Sequence, residues 1–532
     1  MSDPSTGLPV DWLAADGTRA AYTSSTNVGM YLWAVVGARD IGLIAPAEAC
    51  TRVARTLTTL EGLERSHGFF YNWYDPATGD RLRTWPDRGD RVYGFLSTVD
   101  NGWLAAALVV VANAVPQLRD RANALLEPMD FGLFYDERIG QMFGGAWTET
   151  PPDRTYAKGD LLFTCFHYGT LNTEPRISSY IGIARGQLPP EHYFRLVRTF
   201  QPACDRGRQQ MQPQGVTRAY LGVDVFEGTY AYAGGHLVPT WGGSMFEALM
   251  VTLVVPEETW GPRSWGMNHP LYVRAQEHHG LDEAGYGFWG FSSSANPAGG
   301  YREYGVTAIG LNPDGRTSDE ERAPGDDGLD SCPGCATTST PVHRGQGVVT
   351  PHASFLALRY DKAGALANLQ KLETSFEAYG ELGFYDAVNV LTGDVSRRYL
   401  ALDQGMIMAA LTNALTDDQL RRWFIRGDVR AAIQPLLGIE TFESRGEVGL
   451  QCTTDASPGN HDRDAARRDR RGPGSGSLAR QSGGRGWPGV GHPPVRPVAS
   501  GWLPLRLCGE PSSPRCLGPV DADGDPDLAL DA

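Results

Sequence analysis

The stretch FLSTVDNGWLAAALVVVANA, Phe95 to Ala114, decides how the chain is read. From Trp103 to Ala114 it is apolar on every face, which marks a helix buried all round. Small polar residues stand directly in front of it as STVDNG, with one carboxylate, Asp100. Aspartate caps helix N-termini. A carboxylate held at the mouth of a buried helix is also placed to bind a ligand, and both roles are expected of Asp100.

Similar helices recur in pairs along the chain. They are Thr26–Ile44 with Pro46–Arg65, Asp100–Ala114 with Pro116–Leu126, Glu174–Gly186 with Pro190–Phe200, Ser244–Val255 with Asn268–Gly280, Pro351–Tyr360 with Lys362–Tyr379, and Tyr399–Leu415 with Asp417–Ile425. Pro, Gly or Asp punctuates most joints, as helix start and stop signals do. In most pairs the first helix is the more apolar, which suits an inner layer covered by an outer one. Six such hairpins predict an all-α fold, an (α/α)6 barrel. Simple helical repeats are the competitor, but the hairpins are unlike and their connections vary. The long connections 66–98, 127–173, 201–243, 281–350 and 380–398 all precede inner helices. They are expected to gather on one face and build a cleft.

The expected organisation is an N-terminal extension over 1–23, the helical domain over 24–442 and a tail over 443–532. From Thr453 the tail is rich in Arg, Gly, Pro and Ser and carries no packing pattern. It is expected to be disordered, and its abrupt onset is what a shifted reading frame in a GC-rich gene would produce.

The 532 residues are 41% hydrophobic and 20% charged, an ordinary globular composition. With a net charge of −15 and no basic stripe before the tail, nucleic acid is a poor partner. There is no apolar run of transmembrane length, and the N-terminus lacks the basic start and apolar core of a secretory signal, so a cytoplasmic location is expected, or a secreted one if the true start lies elsewhere. Most of the eight cysteines are isolated, which suits a reducing compartment. The CxxC in SCPGC, Ser331 to Cys335, lacks a second pair or nearby histidines, and no metal or cofactor is expected. Many of the 13 tryptophans lie in Gly-rich loops, as in FFYNWYD, GGAWTE, VPTWGGS and YGFWGFSSS. Such rings serve as stacking platforms for sugar faces.

Carboxylates recur where long loops enter inner helices: Asp100, Glu174 in LNTEPR, Glu247 in WGGSMFE, Glu303 in GYREYG, Asp386 in GFYDAVN and Asp403 in ALDQG. Singly, each reads equally well as a cap or a buried hydrogen-bond acceptor. Together they share a rim with Trp73, Trp147, Trp241 and Trp289. Burial raises a carboxyl pKa and a neighbouring carboxylate splits two pKa values, which yields an acid and a base at one pH. Glycoside cleavage uses such a pair. No GxSxG elbow, P-loop or dinucleotide fingerprint occurs.

Several strings together resemble the glucoamylase-like glycosidase family, which includes bacterial endo-β-1,2-glucanases and the middle domain of cyclic β-1,2-glucan synthases. They are SSTNVGMYLWAVVGARDIGLI, TLTTLEGLERSHGFFYNWYD, STVDNGWLAAAL, EPRISSYIGIARGQLPPEHYFRL, WGGSMFEALM, VVTPHASFLAL, GFYDAVN and YLALDQGMIMAAL. They run in the family's order from Ser24 to Phe442. The resemblance implies an (α/α)6 barrel and an oligo- or polysaccharide substrate. The glucanase branch looks inverting, with Glu174 at the position of its general acid and Asp386 at that of its base. The synthase branch is a retaining transglycosylase, in which Glu247 would be the nucleophile and Glu174 the acid/base. The expected function is an inverting glycoside hydrolase on a β-linked glucan, with β-1,2 linkage expected. The alternatives are a retaining transglycosylase and a non-catalytic carbohydrate-binding protein. Residues expected to bind the sugar are Asp100, Asn101, Trp73, Trp147, Trp241, Trp289, Glu303, Tyr304, His352, Asp403 and Gln404. The loop Asn312–Gly347 is longer than the family's usual connection. No glycosyltransferase or phosphorylase domain flanks the barrel, so a whole synthase is not expected.

Overall fold

The computed structural model describes residues 1–152, 155–200, 211–311 and 345–443. The CxxC of Cys332 and Cys335 and the tail from Thr453 lie outside the described residues. Among the described residues the helices are α1 (Ser25–Asp40), α2 (Pro46–Gly62), α3 (Thr98–Ala114), α4 (Arg119–Leu126), α5 (Arg176–Ala184), α6 (His192–Arg195), α7 (Met245–Leu249), α8 (Glu257–Trp260), α9 (Trp265–His278), α10 (Pro351–Ala357), α11 (Lys362–Ser375), α12 (Ala401–Leu415), α13 (Gln419–Phe424) and α14 (Asp428–Ile439).

The most apolar helices pack side by side. α1 lies between α3 and α12, α3 contacts α5, and α10 contacts both α7 and α12. Arg176 ties α5 to α7 by donating to the carbonyls of Glu247 at 3.0 Å and Ala248 at 2.7 Å. α1 and α3 approach so closely that a Cβ on Gly29 would lie 2.9 Å from the Trp103 carbonyl oxygen. The more amphipathic α2, α4, α9, α11 and α13 pack on α1, α3, α7, α10 and α12 respectively. This matches the expected inner and outer layers.

The third pair differs. Only His192–Arg195 of the expected Pro190–Phe200 helix is helical, and the C-terminal α14, unforeseen, packs against α5 and α8 instead. The chain turns extended at Leu196 (ψ 136°), and Arg198 then enters a buried pair with Glu440, directly after α14. The expected Ser244–Val255 helix is broken into α7 and a single 3-10 turn, Val251–Leu253.

The loops are not plain loops. Among the described residues they form short strands in eleven small sheets, the largest joining 155–158, 161–164, 145–147 and 95–97. Two tight hairpins show why. Thr217–Tyr220 and Val223–Phe226 turn through Leu221 (φ 48°) and Gly222 (φ 80°), while Tyr230–Tyr232 and Gly235–Leu237 turn through Ala233 (φ 50°) and Gly234 (φ 74°). Two consecutive positive φ angles give a turn whose twist matches a β-hairpin. Strands of two to four residues are too short for a periodicity reading to find.

Residues 1–23, set apart in the sequence as an extension, are built into the helical unit. Trp12–Ala14 pairs antiparallel with Arg398–Leu400, and Leu8 and Val10 are buried. Cys165 is disulfide-bonded and Cys50 is free. Among the described residues no single helix is long and apolar enough to cross a membrane.

Candidate active site

Two acid pairs lie at the mouths of the inner helices. The first is Glu174 with Glu247. Glu174 precedes α5, is 5% exposed, and accepts a hydrogen bond from the indole N–H of Trp103 in α3. Its own backbone N–H donates to Glu247 Oε2 at 3.0 Å, and the Thr173 hydroxyl donates to the same oxygen. Burial, and then the charge of Glu247, push the Glu174 carboxyl well above the usual range. Burial pushes Glu247 up to about 8, against the pull of its two donors. Those donors favour the ionised form of Glu247, so Glu174 is the member that keeps its proton. The charge of Arg176 pulls both acids down in part, but its hydrogen bonds go elsewhere. It is fully buried and bidentate to Glu257 at 2.8 and 2.9 Å, and it holds Glu257 down at about 2 despite burial.

The second pair is Asp386 with Asp403. Asp386 Oδ2 accepts from the Ala295 N–H at 2.6 Å, while its Oδ1 and both oxygens of Asp403 have no hydrogen-bond partner. The residues are 2% and 1% exposed. Two carboxyls in so dry a place hold one proton between them. Burial, then Asp403, push Asp386 well up, and burial pushes Asp403 up to about 7. His352 lies beside them, and its tautomer follows from its neighbours. The Thr350 hydroxyl donates to the Asp386 carbonyl at 2.7 Å, so it accepts from His352 Nδ1 at 2.8 Å. Nε2 then accepts from Ser292 at 2.9 Å, and the Nδ1–H also faces Asp403 Oδ2 at 3.4 Å. Burial lowers His352 to about 4, so the ring is neutral. His352, Asp386 and Asp403 come within 4.8 Å of one another, close enough for a cation. A protonated Nδ1 offers no lone pair there, and the arrangement suits proton sharing better.

Asp100 does not cap α3. Ser97 does, accepting the Asp100 N–H at 3.2 Å, and its hydroxyl donates to Asp100 Oδ2 at 2.6 Å. Ser precedes the first turn and its side chain reaches the third amide, which the more distant Asp100 carboxylate cannot do for itself. Thr26 of α1 donates to Asp100 Oδ1 at 2.7 Å. The next residue, Asn27, donates at 2.6 Å to Asp11 Oδ1. Asp11 was not foreseen. Burial pushes it up to about 6, with Asn27 opposing and the charges of Asp100 and Asp386 adding. Glu303 is half-buried and pushed up to about 7 by burial, and its charge in turn raises Glu247. Two further residues were missed. The phenols of Tyr168 and Tyr301 are raised by burial and then by nearby acids: Asp100, Glu174 and Glu247 for Tyr168, Asp403, Glu303 and Asp386 for Tyr301. They place both acid pairs in one electrostatic neighbourhood. Tyr301 was findable, standing two residues before Glu303; nothing in PVDWL marks Asp11.

Four expected sugar-binding residues are buried against partners within the fold. Asn101 is fully buried, bonded to Phe70 N and O and to the Ser97 carbonyl, each at 2.9 Å. Trp289, 2% exposed, belongs to the main core. Tyr304, also 2% exposed, accepts from Asn296 at 2.6 Å. Trp241 packs with Phe200, Tyr230 and Leu311. Trp73 and Trp147 are half-buried, and Trp147 lies tilted against Phe95 at 4.7 Å. Gln404 is half-buried and donates to the Phe384 carbonyl at 3.1 Å.

Comparison with known proteins bears on the fold and the family. Residues 217–426 match the Glycoamylase family model ("Putative glucoamylase"), and residues 1–161 match a model described as "Protein of unknown function (DUF3131)". The cyclic β-(1,2)-glucan synthase NdvB of Rhizobium meliloti (strain 1021) is 25% identical over 79% of this chain, which spans only 17% of that relative's length. An endo-β-1,2-glucanase from Chitinophaga pinensis, solved with sophorotriose and glucose, superposes with a TM-score of 0.56 at 17% identity, covering 82% of this chain and 93% of its own. A β-1,2-glucanase from Parabacteroides distasonis gives a TM-score of 0.58 at 17% identity, covering 82% of this chain and 57% of its own. Over 217–426 the chain thus resembles the glucoamylase family, it is similar in sequence to a cyclic β-1,2-glucan synthase, and it shares its fold with β-1,2-glucanases.

Proposed function

We propose that this protein is an inverting glycoside hydrolase of a β-linked glucan, with β-1,2 linkage suggested by its relatives, and that its helices form a six-hairpin (α/α)6 barrel with α1, α3, α5, α7, α10 and α12 as the inner ring. The observation that carries the reading is the presence of two separate acid pairs, one biased to hold a proton and one with an unpartnered carboxylate oxygen. Glu174 is the acid. The Trp103 indole holds one of its oxygens, and the other delivers the proton to the leaving glycosidic oxygen as the C–O bond breaks. Asp386 is the base. The Ala295 amide favours its ionised form, against the charge of Asp403 beside it. Asp386 Oδ1 takes a proton from water while the water oxygen bonds to the anomeric carbon from the opposite face.

One observation favours a second reading, retention. Glu247 adjoins Glu174, and its donors favour the ionised form a nucleophile needs. NMR of the first-formed product from a β-1,2-glucan separates the two. The α-anomer is expected. The β-anomer would move the second role to Glu247 and fit a transglycosylase. Binding without cleavage across a panel of glucans would leave a carbohydrate-binding protein, and neither binding nor cleavage would refute the glycan reading altogether.

A further inference from the structure

We propose that the N-terminal segment completes a glucosyl subsite beside the acid pairs, in which Asp11 accepts a hydrogen bond from a sugar hydroxyl and Tyr22, Trp73 and Trp85 form the apolar wall for the C–H face of the ring. This rests on the glycan reading above and goes beyond it by assigning residues 1–22 a part in substrate recognition.

Asp11 is fixed by three independent ties. Its carbonyl accepts from the Ala401 N–H at 2.8 Å, at the start of α12 and two residues before Asp403. Its N–H donates to the Tyr22 carbonyl at 3.0 Å. Its carboxylate accepts from Asn27 in the first turn of α1. Thr26, the residue before, holds Asp100 in the same way at 2.7 Å. Consecutive residues of one helix turn thus each hold a half-buried carboxylate, and the charge of Asp100 raises Asp11. Asn27 satisfies only part of what a carboxylate can accept, since two oxygens offer about four acceptor sites.

The aromatic wall adjoins these acids through bonded links. Tyr22 and Trp73 meet edge to face at 5.6 Å, Tyr22 and Trp85 at 5.3 Å, and Trp73 and Trp85 at 5.1 Å. Trp12 donates to the Tyr22 hydroxyl at 3.3 Å. Asn72, oriented so that both neighbours are satisfied, donates to Asp100 Oδ2 at 3.0 Å and accepts from the Trp73 indole at 3.2 Å. All three rings are half-buried. The cluster is not closed over as a core cluster would be, although the Arg88 guanidinium lies 5.5 Å over the Trp85 ring. Half-buried rings linked to acceptors fit a pyranose, which carries both an apolar face and hydroxyl donors. A second sign of a polar ligand is the set of buried oxygens without partners on Asp386 and Asp403, of which Asp386 is near enough for its charge to raise Asp11. Tyr22 and Asp11 come from the N-terminal segment, so the wall and its acid exist only because that segment packs onto the helical unit.

The test uses the full chain in a Glu174→Gln background, which leaves the glycan intact, with β-1,2-linked gluco-oligosaccharides of graded length as probes and calorimetry as the readout. Asp11→Asn and, separately, Trp85→Ala should each weaken binding by roughly tenfold, with the melting temperature held within about two degrees. In the hydrolytic background the same changes should raise KM by more than they lower kcat, a split that a purely structural role would not produce. Trp85 lies outside the helices, so its variant carries the test should Asp11→Asn fold poorly. Unchanged affinity in both variants while the parent binds would overturn the subsite and leave the proposed function standing. A parent that binds none of the probes would refute both.

Discussion

Replacing Asp403 with asparagine should change the pH dependence of both stability and activity in a direction the structure dictates. The Asp403 carboxyl is 1% exposed with no donor on either oxygen, and burial pushes it from an ordinary 3.8 up to about 7. A folded-state pKa above the unfolded one means that the native protein holds a proton the unfolded chain has lost. The resulting stabilisation is complete below about pH 4 and drains away as pH rises towards 7. Each tenfold change in proton concentration is worth ~1.4 kcal/mol, so the whole window amounts to roughly 4 kcal/mol. Asparagine has the same shape and no proton to titrate. Urea unfolding between about pH 4.5 and 7.5 should therefore show a fall in stability with pH that is shallower in Asp403→Asn than in the parent by up to ~1.4 kcal/mol per pH unit.

Activity supplies a second readout. Asp403 is the charge that, after burial, raises Asp386 most. Without it Asp386 ionises at lower pH, and the acidic limb of kcat/KM, which reports the free enzyme's base, should move to lower pH. Parallel stability slopes, or an acidic limb that stays put or moves up, would refute the proton-sharing pair and the assignment of Asp386 as base.

Glu174→Gln should lower kcat by on the order of 10²–10⁴ with the far-ultraviolet spectrum unchanged; a loss under tenfold in folded protein would remove Glu174 from the acid role. Arg176→Met strands the Glu257 carboxylate in the core, and a loss of ~3–5 kcal/mol in urea unfolding, or failure to fold, is expected. Gly29→Ala would place a Cβ 2.9 Å from the Trp103 carbonyl oxygen, so ~1–3 kcal/mol of destabilisation is expected. Because Trp103 carries the donor to Glu174, kcat should fall as well.

Some of this was legible in the chain as written, and the reason is that it is local. An apolar run longer than three turns must be buried, so α1, α3 and α12 announced the inner layer. Carboxylates at loop–helix joints announced an acidic site, because the residues on either side of a joint are sequence neighbours. The family-like strings added the chemistry. Burial and pairing are not local. Trp73 and Trp289 sit in similar Gly- and aromatic-rich strings, yet one stays half-open and the other is core, because segments distant in sequence cover the second. Asn101 follows Asp100 directly and faces the opposite way, into Phe70. Glu174 and Glu247 are 73 residues apart and meet through one amide hydrogen bond. The proton on His352 Nδ1 follows from Thr350, whose direction is set by a carbonyl 36 residues away. α14 took the place expected for residues 190–200 because Arg198 found its carboxylate partner at Glu440. Asp11 joined the acids because Trp12–Ala14 found its strand partner at Arg398–Leu400. Spacing and residue type select what a segment can become; which acids share a proton depends on distances across the fold, and only packing sets those.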